Sequence, residues 1–130
     1  MIIVCLKTDQ PDAYLGIYED KHLLSDITWE AHRELSNTIY HKLQSLLELQ
    51  KLNLQQVDGF VCYKGPGSFT GLRIGLSAAN ALAYASNAKI VATDGDSWKN
   101  NGITKLIAGD DEKLALPEYG AEANITTPKK

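Results

Sequence analysis

The sequence has little cysteine: two residues in 130, Cys5 and Cys62, with no Cys-x-x-Cys pair. Zinc sites usually need paired cysteines or a cysteine with a close histidine, so the sequence argues against a metal site. Each cysteine lies inside an apolar run, and we therefore predict two buried free thiols.

A long apolar segment is also missing. No run approaches the roughly 18 consecutive apolar residues of a membrane-spanning helix. The start of the chain lacks the basic region and apolar core of a signal peptide. We therefore expect a soluble, cytoplasmic protein with no membrane contact.

An excess of positive charge is absent as well. Thirteen lysines and arginines against sixteen aspartates and glutamates give a formal net charge of −3. A domain that binds nucleic acid by itself usually carries a basic patch, and the closing Lys129–Lys130 pair is too short to form one. The length suits one domain with its own core.

The hydrophobic pattern predicts an alternation of strands and helices. Short apolar runs predict strands, and residues that recur at helical spacing predict two long helices. Three early strands followed by helix, strand, helix and strand indicate an α/β domain. The predicted strands are 2–6, 13–18, 22–29, 57–63 and 89–92. The first predicted helix begins near residue 30, and the second spans 72–85.

A glycine-rich segment, KGPGSFTGLRIG at 64–75, joins a predicted strand to the second helix. It lacks the Gly-Lys-Ser/Thr of a phosphate-binding loop and the sixth-place glycine of a dinucleotide fingerprint. It also lacks the Gly-x-Ser-x-Gly of a nucleophile elbow. Two interpretations stay open: a tight turn in which Ser68 or Thr70 caps the helix, and a site for an anion or a partner.

Both long helices are more apolar than one sheet requires. The first helix has an apolar arc of roughly 180°, against about 100° for a helix that covers one sheet. On the second, the polar residues Arg73, Ser77 and Asn80 fall with Tyr84 in a stripe about 60° wide. Either the helices cover each other within one chain, or they leave an apolar surface for a partner. The width of the first arc favours a partner.

The segment 65–75, with four glycines and a proline in eleven residues, resembles the signature of the TsaB family, also called YeaZ. That resemblance implies a single actin-like, ribonuclease-H-like half-domain: a mixed five-stranded sheet with helices and with the first strand at its centre. The match covers 1–98, and we expect 99–130 to form a short C-terminal extension in place of the family's second lobe.

The resemblance also implies a function, that of a non-catalytic partner subunit in making threonylcarbamoyladenosine in tRNA. Such a subunit pairs through its first two helices with a TsaD-like subunit, is joined by a TsaE-like ATPase, forms a homodimer when alone, and meets tRNA only indirectly. No catalytic residue, metal or cofactor is expected. The expected partner contacts are Leu35, Ile39, Leu43, Ile74, Ala78 and Leu82, and the glycine-turn motif comprises Gly65, Pro66, Gly67, Ser68, Phe69, Thr70, Gly71, Arg73 and Gly75.

The turn after the first strand departs from the family pattern. Family members often carry an aspartate there, as a metal ligand near the nucleotide phosphates, where this chain has Lys7. We expect Lys7 to be a solvated turn residue rather than an anion contact, and we do not expect Asp9, two places later, to replace the missing carboxylate. This departure argues against the alternative function, an actin-like ATPase or phosphotransferase. Two others are a glycoprotease-like hydrolase, for which no catalytic constellation is evident, and an orphan half-domain that only dimerises.

Beyond the fifth strand the pattern is weaker. Asp94 or Asp96 is placed to cap a short helix, the residues 103–108 suit a strand or one helical turn, and 114–117 suit a last short strand. We expect a tail from Tyr119 onward.

Overall fold

The computed structural model describes residues 1–117, without the side chain of His32. Five strands form one mixed sheet in the order β3-β2-β1-β4-β5. The strands are β1 (Ile2–Lys7), β2 (Asp12–Glu19), β3 (His22–Glu30), β4 (Gly59–Tyr63) and β5 (Lys89–Thr93), and the helices are α1 (Leu35–Leu49), α2 (Phe69–Ser86) and α3 (Trp98–Ile107).

The first strand is central, as the resemblance implied. It pairs antiparallel with β2 and parallel with β4, while β3 extends the sheet beyond β2 and β5 extends it beyond β4. Asp20 forms the hairpin turn between β2 and β3 with a left-handed φ of 52°, a conformation that aspartate tolerates better than most residues. The predicted α/β architecture is confirmed.

Alternation along β1 builds a core on each face of the sheet. Val4 and Leu6 belong to the apolar cluster under α1 and α2, whereas Ile3 and Cys5 belong to the cluster under α3. Successive side chains of a strand point to opposite faces, so an uninterrupted apolar run is what a strand covered on both faces requires.

The two long helices lie side by side and begin at the same end of the sheet. Both follow strands that run in one direction, because β3 and β4 are each aligned with β1. Ser36 of α1 borders the same depression as Thr70 of α2, and Leu47 of α1 borders another with Leu82 of α2. The helices α1 and α2 are therefore roughly parallel neighbours.

The helix α3 corrects the sequence-based interpretation. The residues 103–107 belong to a ten-residue helix that begins at Trp98, with Ser97 at its N-cap and no side-chain cap hydrogen bond. The predicted capping by Asp94 or Asp96 is therefore wrong. Gly102 fits because a Cβ atom there would lie 2.2 Å from Cγ1 of Val61, so tertiary packing outweighs the poor helix propensity of glycine.

The predicted division at residue 98 stays a prediction. Trp98, Ile103 and Leu106 pack on the sheet, so α3 shares a core with the preceding strands. No strand forms over 114–117, and the predicted short strand there is wrong. The predicted tail from Tyr119 lies outside the described residues. No helix within 1–117 is long and apolar enough to cross a bilayer.

Candidate functional site

The glycine segment makes the turn from β4 into α2. Ser68 is the N-cap of α2, and its side chain accepts a hydrogen bond from the Gly71 N–H at 3.5 Å. The predicted cap role of Ser68 is confirmed. Thr70 is the second residue of the helix, so its predicted cap role is wrong.

Three glycines of the segment, Gly67, Gly71 and Gly75, face the turn between β1 and β2. A Cβ atom at Gly67 would lie 2.5 Å from Cβ of Asp9, and one at Gly71 would lie 2.1 Å from the carbonyl oxygen of Thr8. At Gly75 the neighbour would be the hydroxyl of Thr8, again at 2.1 Å. Glycine at these positions lets the β1–β2 turn pack directly on α2.

Hydrogen bonds hold the two turns together. The Thr8 hydroxyl donates to the Gly71 carbonyl at 2.7 Å, and the Ser68 N–H donates to the Asp9 carbonyl at 3.2 Å. Thr8 and Asp9 are both buried. The glycine motif therefore encloses a part of its own chain.

Lys7 and Asp9 form an ion pair inside this arrangement. The ammonium of Lys7 donates to one carboxylate oxygen of Asp9, and the side-chain amide of Gln10 donates to the other at 3.2 Å. The ammonium also lies 4.4 Å from the centre of the Tyr63 ring. Lys7 is therefore not a solvated turn residue, and both oxygens of Asp9 already have partners. That disfavours Asp9 as a substitute metal ligand.

Metal-binding clusters are absent from the part of the chain that the structure describes: residues 1–117 contain no group of three or more histidines, cysteines, aspartates or glutamates able to hold an ion. Both cysteines are free and buried, which confirms the prediction. Burial raises the pKa of the Cys5 thiol to about 12 and raises the pKa of Cys62 further above its usual range. Neither thiol is ionised near neutral pH, so neither is poised as a nucleophile.

A surface groove runs between α1 and α2. Its first depression adjoins the β1–β2 turn, a second lies between the amino-terminal halves of the two helices, and a third reaches the end of α1. Thr70 and Ile74 border both of the first two depressions, and Tyr40 borders the second and the third, so neighbouring depressions share lining residues. Exposed residues at the middle depression are Ser36, Tyr40, Thr70, Arg73 and Ser77.

The six predicted contact residues form the floor and core beneath this groove. Ile39 is 1% exposed and Leu82 is 9% exposed, and Ile74 is partly buried. Packing between the helices and the sheet therefore covers most of this predicted apolar surface within one chain. The buried members are Leu35, Ile39, Leu43, Ala78 and Leu82.

The residues that remain exposed nearby were not among the predicted contacts. Tyr40 is 45% and Tyr84 is 90% exposed, and Ser77 and Ala81 lie on the outer side of α2. The spacing 73, 77, 81 marks one helix face and was visible in the sequence. Ser77 and Ala81 are small, so they are less prominent in the sequence than the leucines.

The fold and the site define a class: an α/β domain with a mixed five-stranded sheet, whose glycine turn encloses its own β1–β2 connection and whose two long helices border a groove. A family model described as "TsaD: tRNA N6-adenosine threonylcarbamoyltransferase" matches residues 27–94, which is more than half of the chain. The chain belongs to the family that this model describes, and the curated relatives it is similar to are TsaB proteins.

Two curated relatives carry the name tRNA threonylcarbamoyladenosine biosynthesis protein TsaB. The Escherichia coli protein is 29% identical over 116 residues, covering 78% of this chain and 50% of that protein. The Haemophilus influenzae protein is 34% identical over 61 residues, covering 47% and 26%. The chain thus spans half or less of the length of the curated relatives it matches.

Solved structures show the same fold. YeaZ from Pseudomonas aeruginosa superposes with a TM-score of 0.66 at 22% identity, over 72% of this chain and 43% of that one. Thermus thermophilus RuvC, solved in complex with a Holliday junction substrate, gives 0.54 at 11% identity over 84% and 77%. At such low identities the likeness extends to the architecture alone.

Proposed function

We propose that this chain is a non-catalytic partner subunit in the biosynthesis of threonylcarbamoyladenosine in tRNA, and that it pairs with a TsaD-like subunit through α1 and α2. Family membership supports the pathway. The row of depressions between the two helices is the observation that carries the pairing, because grooves between helices typically accept an apolar helix face.

The exposed residues beside the groove suit a partner contact. Ile74 and Ala78 line its floor, and uncharged polar groups flank them at Ser36 and Ser77. Interfaces commonly combine an apolar centre with a polar rim, with aromatic and arginine side chains as the strongest contacts. Tyr40 and Arg73 supply those two side-chain types beside the groove.

The remaining partners follow from the same proposal. A TsaE-like ATPase joins through the complex, and the groove serves a homodimer when the TsaD-like subunit is absent. The acidic balance of the chain favours an indirect relation to tRNA, since direct contact with phosphates favours basic surfaces.

Replacing Ser77 with arginine is the sharpest test of pairing. A long charged side chain at the middle of the groove is expected to weaken association with the cognate TsaD-like subunit at least tenfold, because it blocks close approach and must be desolvated. Size-exclusion chromatography of the mixture, followed by a titration, measures the effect. Thr104→Arg, at an exposed position of α3, is the matched control and should bind like the unaltered chain.

The two variants separate the possible results. Failure of the unaltered chain to co-elute with the TsaD-like subunit counts against the proposed partner. If Ser77→Arg co-elutes as well as the unaltered chain, the TsaD-like partner is supported, but the groove is not part of the interface.

The alternative of a nucleotide-binding ATPase predicts a different measurement. The Asp9 carboxylate at the β1–β2 turn is paired with the Lys7 ammonium and is therefore not free to bind magnesium. We expect calorimetric titration of the isolated chain with ATP and magnesium to give no saturable heat. Saturable binding would favour the enzyme alternative over the partner subunit.

A further inference from the structure

The segment 110–115, here called the strap, runs along the outer edge of β5. The Glu112 N–H donates to the Ile90 carbonyl at 2.8 Å, as a neighbouring strand would. The other two contacts use side chains: the Ile90 N–H donates to the carboxylate of Asp111 and the Ala92 N–H to that of Glu112, both at 3.1 Å. Two carboxylates thus stand where the carbonyls of a sixth strand would lie.

The far end of the strap is fixed to α2. The side-chain amide of Asn80 donates to the Ala115 carbonyl at 2.9 Å and accepts from the Ala115 N–H at 2.8 Å. Ala115 is 1% exposed within the larger core. The strap is therefore an ordered element with specific anchors at both ends.

Asp111 is held as a carboxylate in this position. Burial raises its pKa, but hydrogen bonds from the N–H groups of Ile90 and Lys113, together with the charge of Lys113, outweigh burial and bring the pKa below its usual value. Hydrogen bonds to a charged acceptor are stronger than those to a neutral one.

The β5 edge beneath the strap has a backbone pattern that suits antiparallel pairing with the β5 edge of another copy of the chain. β5 reads Lys-Ile-Val-Ala-Thr, a short segment rich in β-formers. The N–H and C=O groups of one strand residue point to the same side, so Ile90 and Ala92 both direct a donor and an acceptor outward. An antiparallel copy centred on Val91 would match Ile90 with Ala92 of the other chain in both directions.

We propose that the strap guards the β5 edge, and that its release lets β5 pair with β5 of a second copy of this chain. Exposed strand edges are common sites of unwanted pairing, and here the carboxylates of Asp111 and Glu112 and the Glu112 N–H cover the edge. This surface lies at the sheet edge, apart from the α1–α2 groove, so the inference goes beyond the proposed function.

Single substitutions in the strap, followed by hydrogen exchange of individual β5 amides, test whether the strap protects the β5 edge. Asp111→Ala is expected to speed hydrogen exchange at the Ile90 amide at least tenfold, and Glu112→Ala to do the same at Ala92, since each removes one acceptor. Asp110→Ala is the control, because the strap is attached there only through the Asp110 backbone N–H. Unchanged exchange of the Ile90 and Ala92 amides in the two variants would show that the strap does not protect the β5 edge.

The second step uses the double variant Asp111→Ala, Glu112→Ala in a Ser77→Arg background, which is expected to weaken any association through the groove. Sedimentation velocity is expected to show a concentration-dependent dimer that the Asp110→Ala control in the same background lacks. A monomer with an exposed, fast-exchanging β5 edge overturns self-pairing. Should the double variant not fold, Asn80→Ala releases the strap from its other end and is judged by the same two outcomes.

Discussion

Leucine in place of Gly71 is expected to lower the free energy of unfolding by about 3 kcal/mol, at the upper end of the usual cost of overpacking. Even a Cβ atom there would lie 2.1 Å from the Thr8 carbonyl oxygen. That neighbour is backbone and cannot rotate away, so the β1–β2 turn must move. The movement also breaks the hydrogen bond from the Thr8 hydroxyl to the Gly71 carbonyl.

Denaturant unfolding followed by circular dichroism measures this loss. Ala85→Leu is the matched control, since it introduces the same side chain at an exposed position of the same helix and should change stability by no more than about 0.5 kcal/mol. Equal stabilities of the two variants would show that the packing of the β1–β2 turn on α2 does not require glycine at position 71.

The second large effect is expected for Ala78→Glu. Ala78 is 7% exposed and packs in a cluster with Leu35 and Ile39 of α1. A carboxylate placed there without a partner must be desolvated or must push the helices apart. We expect a loss of about 3 kcal/mol in the isolated chain, a typical cost of an unpaired buried charge.

Ala81→Glu is its control, placed almost one helical turn further along. Ala81 is exposed on the outer side of α2, so the same substitution should leave the isolated chain within about 0.5 kcal/mol of its original stability. If Ala78→Glu is equally well tolerated, the packing of α1 on α2 is looser in solution than the structure has it. The comparison also explains why Ser77, and not Ala78, is the suitable position for testing pairing.

Most of the fold could be predicted because each element carries its own local signal. The run around Val4 and the alternation of β2 and β3 define strands without knowledge of their neighbours. The helix α3 could not be predicted in full, because Gly102 is favourable only against Val61. A contact between distant segments leaves no periodic trace in either of them.

The candidate site could be predicted only in outline. The apolar arcs on α1 and α2 are wider than contact with the sheet requires, which indicates a second contact for each helix. They do not show which residues the neighbouring helix covers and which stay exposed. Leu43 and Tyr40 lie on the same side of α1, yet one is 3% and the other 45% exposed. The ion pair of Lys7 with Asp9 and the clamp of Asn80 on Ala115 are likewise side-chain matches that spacing does not encode.

The parallel course of α1 and α2 has a consequence for direction. Both helices point their amino-terminal ends, which carry partial positive charge, toward the β1–β2 turn, and their carboxy-terminal ends away from it. Two aligned dipoles side by side repel weakly, and a third helix compensates them only if it lies in the opposite sense. An incoming helix would therefore have a preferred polarity before any side chain is matched.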